Sequence, residues 1–167
     1  MIKIGIVGAS GYVGGELLRL LSNHENVEIK YATSNSHKNE KISRIHPDLY
    51  GLTDLRFSDR TPMEVAQDVD LIFLALPHGT SIKYVPDLIE TGVNIIDMSA
   101  DFRLKDPEKY PEWYGFEHNY PDLLYCHLNL MIKMVLCYIL MMMQYILALR
   151  YILHFLSDLY VIPACHR

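Results

Sequence analysis

Cysteine is scarce in this chain: Cys126, Cys137 and Cys165 are the three in 167 residues. An odd number without metal-ligand spacing suggests neither a disulfide framework nor a zinc site, and points to a reducing, cytoplasmic setting. Positive charge is also in short supply. Fifteen Lys and Arg stand against 20 Asp and Glu, a net charge of -5, and no basic run occurs. That balance argues against a nucleic-acid-binding surface. Long uncharged runs are lacking too. The longest, Met134 to Leu149, has 16 residues and contains Gln144, short of the ~20 a membrane span needs, so no membrane association is expected. The N-terminus enters a strand-like pattern at once, which leaves no room for a secretory leader. No internal repeat is present. The length suits one domain with a sizeable core.

What is there begins with KIGIVGASGYVGGELLRLL, Lys3 to Leu21. Ile4, Ile6 and Val7 form an apolar run, as in a strand buried on both faces. Gly8, Gly11 and Gly14 follow, and Val13, Leu17, Leu18 and Leu21 then recur at helical spacing. Strand, glycine turn and helix in that order make a phosphate cradle for a dinucleotide. Gly8 permits the tight turn, Gly11 lets backbone approach a pyrophosphate, and Gly14 lets the helix pack close to the strand. The first helical N–H groups then face the anion. The spacing is G-x-x-G-x-x-G, with Ser10 in place of the middle glycine of the more familiar pattern.

Val27 to Tyr31 reads as a second strand. A cofactor without a 2′-phosphate usually meets an Asp or Glu at its end. Here Ala32, Thr33, Ser34, Asn35 and Ser36 follow, with Lys38 and Lys41 just beyond. Hydroxyls, an amide and nearby cations suit a phosphate and favour NADP over NAD; an ordinary polar loop has the same composition. Residues 42–62 are irregular, with Leu55 to Phe57 as a short strand candidate. Pro62 to Gln67 reads as a short helix with Thr61 as N-cap and Glu64 as capping-box partner. Leu71 to Leu76 is a central parallel strand by its unbroken apolar run. It ends in Pro77, His78 and Gly79, on the edge where open α/β sheets hold ligands. Thr80 to Thr91 is helical in pattern, but Pro86 must kink or restart it, and Gly92 is a C-terminal stop. Val93 to Met98 is a further strand, followed by Ser99, Ala100, Asp101, Phe102 and Arg103; Asp101 and Arg103 either serve the site or form a local ion pair. Lys105 to Asp122 is a polar surface segment carrying Trp113, the only tryptophan. Strands alternating with helices predict an α/β fold, a Rossmann-type doubly wound, mainly parallel sheet with helices on both faces.

GASGYVGGELLRLL, ALPHG, IDMSADFRLKDPEKYPEWYG and EHNYPDLL, in this order from Met1 to about Leu124, closely resemble N-acetyl-gamma-glutamyl-phosphate reductase. SADFRL after a strand is the most specific of these. The resemblance implies a two-domain, cytoplasmic, homo-oligomeric reductase of arginine biosynthesis. It implies NADPH-dependent reduction of a small-molecule acyl phosphate to the semialdehyde, with release of phosphate. Archaeal relatives acting on carrier-linked aminoadipate or glutamate phosphates look similar here, which leaves the substrate open. Carried over, Gly8, Ser10, Gly11, Tyr12 and Val13 would cradle the pyrophosphate. Ser34, Asn35 and Lys38 would lie near the 2′-phosphate, with Asn35 where an arginine is common. Pro77, His78 and Ser99 would border the nicotinamide.

After about Leu124 the resemblance ends. The family continues toward an NPGC motif whose cysteine attacks the acyl carbon, and then a second domain with a catalytic histidine. IPACHR around Cys165 has Ala164 in the glycine position. Of the 43 residues from Tyr125, 32 are hydrophobic, none is glycine and one, Asp158, is acidic. The organisation expected is therefore an NADP-binding domain over 1–124 and an apolar tail over 125–167, helical or poorly ordered. A shifted reading frame would account for the tail, and the chain as written is expected not to turn over substrate. Two other functions fit parts of the pattern. Aspartate-semialdehyde dehydrogenase shares the glycine motif but not SADFRL. A non-catalytic dinucleotide-binding module would use the tail to dock on a partner or membrane.

Overall fold

The computed structural model describes residues 1–126, and side chains through Leu124. The expectations for the tail, including Cys137 and Cys165, fall outside the described residues. The chain divides into two compact units, Met1–Asp101 and a second from Phe102 onward.

In the first unit four strands, β1 (Ile2–Val7), β2 (Val27–Thr33), β3 (Leu71–Leu74) and β4 (Asn94–Asp97), form one sheet in the order β2-β1-β3-β4. Every pairing is parallel. The crossovers carry the helices: α1 (Tyr12–Leu21), α2 (Ile42–Ile45), α3 (Pro62–Ala66) and α4 (Val85–Glu90). α1 packs on β1 and β2, whereas α3 packs on β1, β3 and α4. A Cβ added to Gly5 would run into Val65 of α3. Side chains alternate along a strand, so Ile4 and Ile6 face the opposite layer, and both are fully buried. Helices on both faces of a parallel sheet give the doubly wound Rossmann-type architecture expected from the alternation of strands and helices. The strand order reverses between β1 and β3, and ligands gather at the carboxyl ends beside such a reversal.

Local rules written in the sequence are kept. Thr61 Oγ1 accepts from the Glu64 N–H while Glu64 Oε2 accepts from the Thr61 N–H at 2.7 Å, a complete capping box at the start of α3. The segment 80–91 does restart at its proline: a 3₁₀ turn over Ser81–Lys83 precedes α4, which carries Pro86 in its first turn where no N–H is needed. Gly92 follows the end of α4 in the left-handed conformation, φ 77°.

Other elements differ. β2 runs two residues beyond Tyr31, to Thr33, with a register shift between Ile4 and Gly5 of its partner. Leu55 to Phe57 is not a strand. Arg56 and Ser58 make isolated bridges, Ser58 lying parallel to Thr33. On α1 the buried stripe is Gly14, Gly15, Leu18 and Leu21 rather than one including Val13, which is 42 % exposed. The glycines turn backbone, not side chain, toward the sheet.

The second unit contains α5 (Tyr110–Tyr114) and α6 (Pro121–Cys126). Its polar composition suggests surface throughout, yet Tyr110 is fully buried. The Tyr110 ring lies against those of Tyr114, Phe116 and His118. Its hydroxyl accepts from the Leu104 N–H at 2.9 Å and donates to the Leu104 carbonyl at 3.1 Å, so a polar tip satisfied by backbone lets an aromatic body enter a core. Trp113 is 69 % exposed.

Candidate functional site

A cleft of about 810 Å³ opens at the carboxyl ends of β1, β2 and β3, all within the first unit. Its size lies in the range of small-molecule and cofactor sites. Its floor is the glycine turn. Gly8 has φ 82°, and a Cβ there would collide with the Ala75 carbonyl oxygen. A Cβ on Gly14 would sit 2.5 Å from Ala9 Cα, so the close packing of α1 requires glycine. At Gly11 a Cβ would meet only the Gly8 oxygen, at 3.4 Å. The space beyond it is cleft. Gly11 is the N-cap of α1 and has no side chain to bond the first-turn N–H groups, which are thus available to an anion.

The turn is tied on three sides. The Ala9 N–H donates to Thr33 O and the Ala75 N–H to Val7 O, each at 2.8 Å. His46 Nε2 lies 2.9 Å from the Ala9 oxygen, and its ring fills the space beside Gly15. Ser34, buried at the end of β2, donates its hydroxyl to Ser10 Oγ at 2.8 Å and accepts from the His37 N–H at 3.3 Å. The two hydroxyls expected at opposite ends of a cofactor's phosphates thus join the two loops.

Of the residues the sequence nominates, Gly8, Ser10, Gly11, Tyr12, Val13, Ser34, Asn35, Pro77 and His78 line this one cleft. Lys38 and Ser99 do not. Beyond Ser36 the loop folds back, with Asn39 at φ 62° and its N–H on the Phe57 oxygen at 2.8 Å, and carries the exposed Lys38 elsewhere. Ser99 is buried beneath the cleft edge. Its N–H and hydroxyl donate to Asp97 at 3.0 and 2.8 Å, and its oxygen accepts from the Asp101 N–H at 3.1 Å. Asp101 in turn accepts the N–H groups of Gly79 and Ile82 at 2.7 and 2.9 Å. The Ala100 N–H reaches His78 Nδ1 at 3.0 Å, which in the neutral ring puts the proton on Nε2. Hence the loop after β4 works chiefly by holding the Pro77–His78–Gly79 loop in place. Sequence reasoning misses Asp59 and Arg60, which also line the cleft. Their segment has no strand periodicity, so only its pairing beside β2 reveals them.

Burial pushes the Asp97 carboxyl above the usual carboxylate range; hydrogen bonds from Ser99 oppose this, and the Asp101 charge adds to it. A carboxyl raised on folding binds its proton more tightly folded than unfolded. Its contribution therefore favours the fold in acid and is lost as pH rises through the folded pKa. We expect Asp97→Asn, compared with the parent by urea unfolding at about pH 4 and about pH 8, to gain relative stability at the higher pH. An unchanged difference would contradict this assignment.

Among the described residues no helix is long and apolar enough to cross a membrane, and no group of three or more His, Cys, Asp or Glu is gathered as for a metal.

Residues 3–163 match the family model for the semialdehyde dehydrogenase NAD-binding domain. The chain is 50 % identical over 124 residues to the LysW-L-2-aminoadipate/LysW-L-glutamate phosphate reductase of Sulfolobus acidocaldarius, covering 74 % of this chain and 35 % of that protein. A Picrophilus torridus protein provisionally named for the same activity is 66 % identical over 123 residues, again 74 % of this chain and 35 % of the relative. The chain thus spans about a third of the length of the curated relatives it matches. Among solved structures, an aspartate semialdehyde dehydrogenase with NADP from Candida albicans matches with TM-score 0.49 and 21 % identity, over 64 % of this chain and 32 % of that one.

Proposed function

Because this chain belongs to the semialdehyde dehydrogenase family through its NAD-binding domain, whose cofactor is a nicotinamide dinucleotide, we propose that it is the NADPH-binding part of an acyl-phosphate reductase of amino-acid biosynthesis. One observation carries this reading: the glycine turn, the hydroxyls ending β2 and the Pro77–His78 loop meet in one cleft. The turn and the start of α1 would take the pyrophosphate. Thr33, Ser34 and Asn35 would meet the adenosine ribose. His78, its tautomer set by the Ala100 N–H, would present Nε2–H at the nicotinamide end. When bound, the reduced nicotinamide supplies a hydride.

The proposed substrate is a carrier-linked 2-aminoadipyl or glutamyl phosphate rather than N-acetyl-gamma-glutamyl phosphate. The names of the relatives at 50 to 66 % identity support it, and it makes a small carrier protein a partner. Residues 1–124 are proposed as the cofactor domain. No nucleophile is assigned, since none of the three cysteines has a described side chain.

The test is phosphate-dependent NADP reduction by the purified chain, with carrier-linked and N-acetylated semialdehydes offered in parallel. We expect saturable NADP binding, with any turnover confined to the carrier-linked semialdehyde. Turnover lost on Cys165→Ser would identify the nucleophile in the tail. Turnover with the N-acetylated semialdehyde alone would overturn the substrate assignment.

A further inference from the structure

We propose that Arg60 is the residue that selects the phosphorylated cofactor, by binding the 2′-phosphate of NADPH. This rests on the cofactor reading above. Ser58 acts as a rung on the end of β2: the Ser34 N–H donates to Ser58 O at 3.1 Å and the Ser58 N–H to Ala32 O at 2.8 Å. Two residues on, Arg60 lines the cleft together with Ser34, Asn35 and Ser36. Lys38, the cation the sequence suggests, does not.

The guanidinium is held by neighbours at the edge of the cleft's lining. Its carbon sits 4.6 Å from the centroid of the Tyr31 ring, and Nη1 donates to Asp68 Oδ2 at 3.3 Å. Tyr31 donates to the same oxygen at 2.7 Å, and Lys30 bonds the Asp68 backbone oxygen at 3.1 Å. A guanidinium carries five N–H donors, so one bond to Asp68 leaves a planar fork suited to a phosphate. The Arg60 side chain is 44 % exposed, as a group meeting a ligand from solvent should be. Asp68 is a positioning residue here. Asp59 lines the same cleft; it opposes a phosphate and would instead accept from unphosphorylated ribose hydroxyls.

The experiment is calorimetric titration of the whole chain and its Arg60→Gln, Arg60→Lys and Lys38→Glu variants with NADPH, NADH, 2′-AMP and 5′-AMP. Thermal melts check folding. For Arg60→Gln we expect NADPH and 2′-AMP to weaken about 10- to 100-fold, with NADH within about twofold. Arg60→Lys should fall between, because it keeps charge without the fork, and Lys38→Glu should leave the preference intact. A wild-type preference for NADPH that survives Arg60→Gln overturns the role of Arg60 alone. Equal loss of both cofactors also overturns it, making the side chain an adenine platform. Wild-type chain that binds neither cofactor overturns the cofactor reading and this inference with it.

Discussion

Replacing Gly11 by valine should abolish binding of both NADPH and NADH while leaving the fold intact. The two halves of this expectation come from one geometry. A Cβ at Gly11 meets only the Gly8 oxygen, at an ordinary 3.4 Å, so the polypeptide tolerates it. The branched methyls beyond that Cβ then occupy cleft that the pyrophosphate needs, over the uncapped N-terminus of α1. The loss should exceed about 100-fold, because both the close backbone approach and the contact with first-turn N–H groups go together. Titration with each cofactor, alongside a melting curve, checks it. Retained affinity would mean that the turn does not serve a ligand as described, and collapse of the fold would mean that Gly11 has less room than its 3.4 Å contact implies.

The second large effect falls on folding. Gly8→Ala should destabilise the chain by about 2–5 kcal/mol, a large share of the stability of an ordinary domain. Forcing a Cβ into a left-handed conformation costs about 1–2 kcal/mol. The same Cβ also collides with the carbonyl oxygen of Ala75, and overpacking against backbone adds about 1–3 kcal/mol. The Ala75 N–H meanwhile bonds to Val7 O, so Ala75 cannot move aside without straining the hydrogen bond that ties the end of β3 to β1. Urea unfolding reads the change; a loss under about 1 kcal/mol would show the turn to be softer than the geometry implies.

These two glycines show how much of the site is legible in the sequence. Their order after an apolar strand states their roles, because only glycine satisfies a left-handed turn or clears a path to backbone. The capping box at Thr61 and the restart at Pro86 are legible for the same reason: each is local chemistry with a fixed spacing. Nine nominated residues line one cleft because strand ends in a parallel sheet share an edge. Lys38 is close in sequence to the end of β2, but the backbone folds back after Ser36. Arg60 escapes notice because its segment reaches β2 through isolated bridges with no periodic signature. Ser99, which the resemblance places beside the nicotinamide, is buried and hydrogen-bonded to Asp97 and Asp101, and Asp101 reaches on to the 79–82 turn. Tyr110 is hidden among polar neighbours, since its burial depends on a hydroxyl closing on Leu104.

The cleft over the Gly8–Gly14 turn is proposed to hold a nicotinamide dinucleotide and to prefer the phosphorylated one. The most direct test is a crystal structure of the 167-residue chain grown with NADPH. The pyrophosphate is expected against Gly11 and the N-terminus of α1, with the 2′-phosphate within hydrogen-bond reach of Arg60. Density for the cofactor anywhere else, or a pyrophosphate held away from the glycine turn, would contradict it.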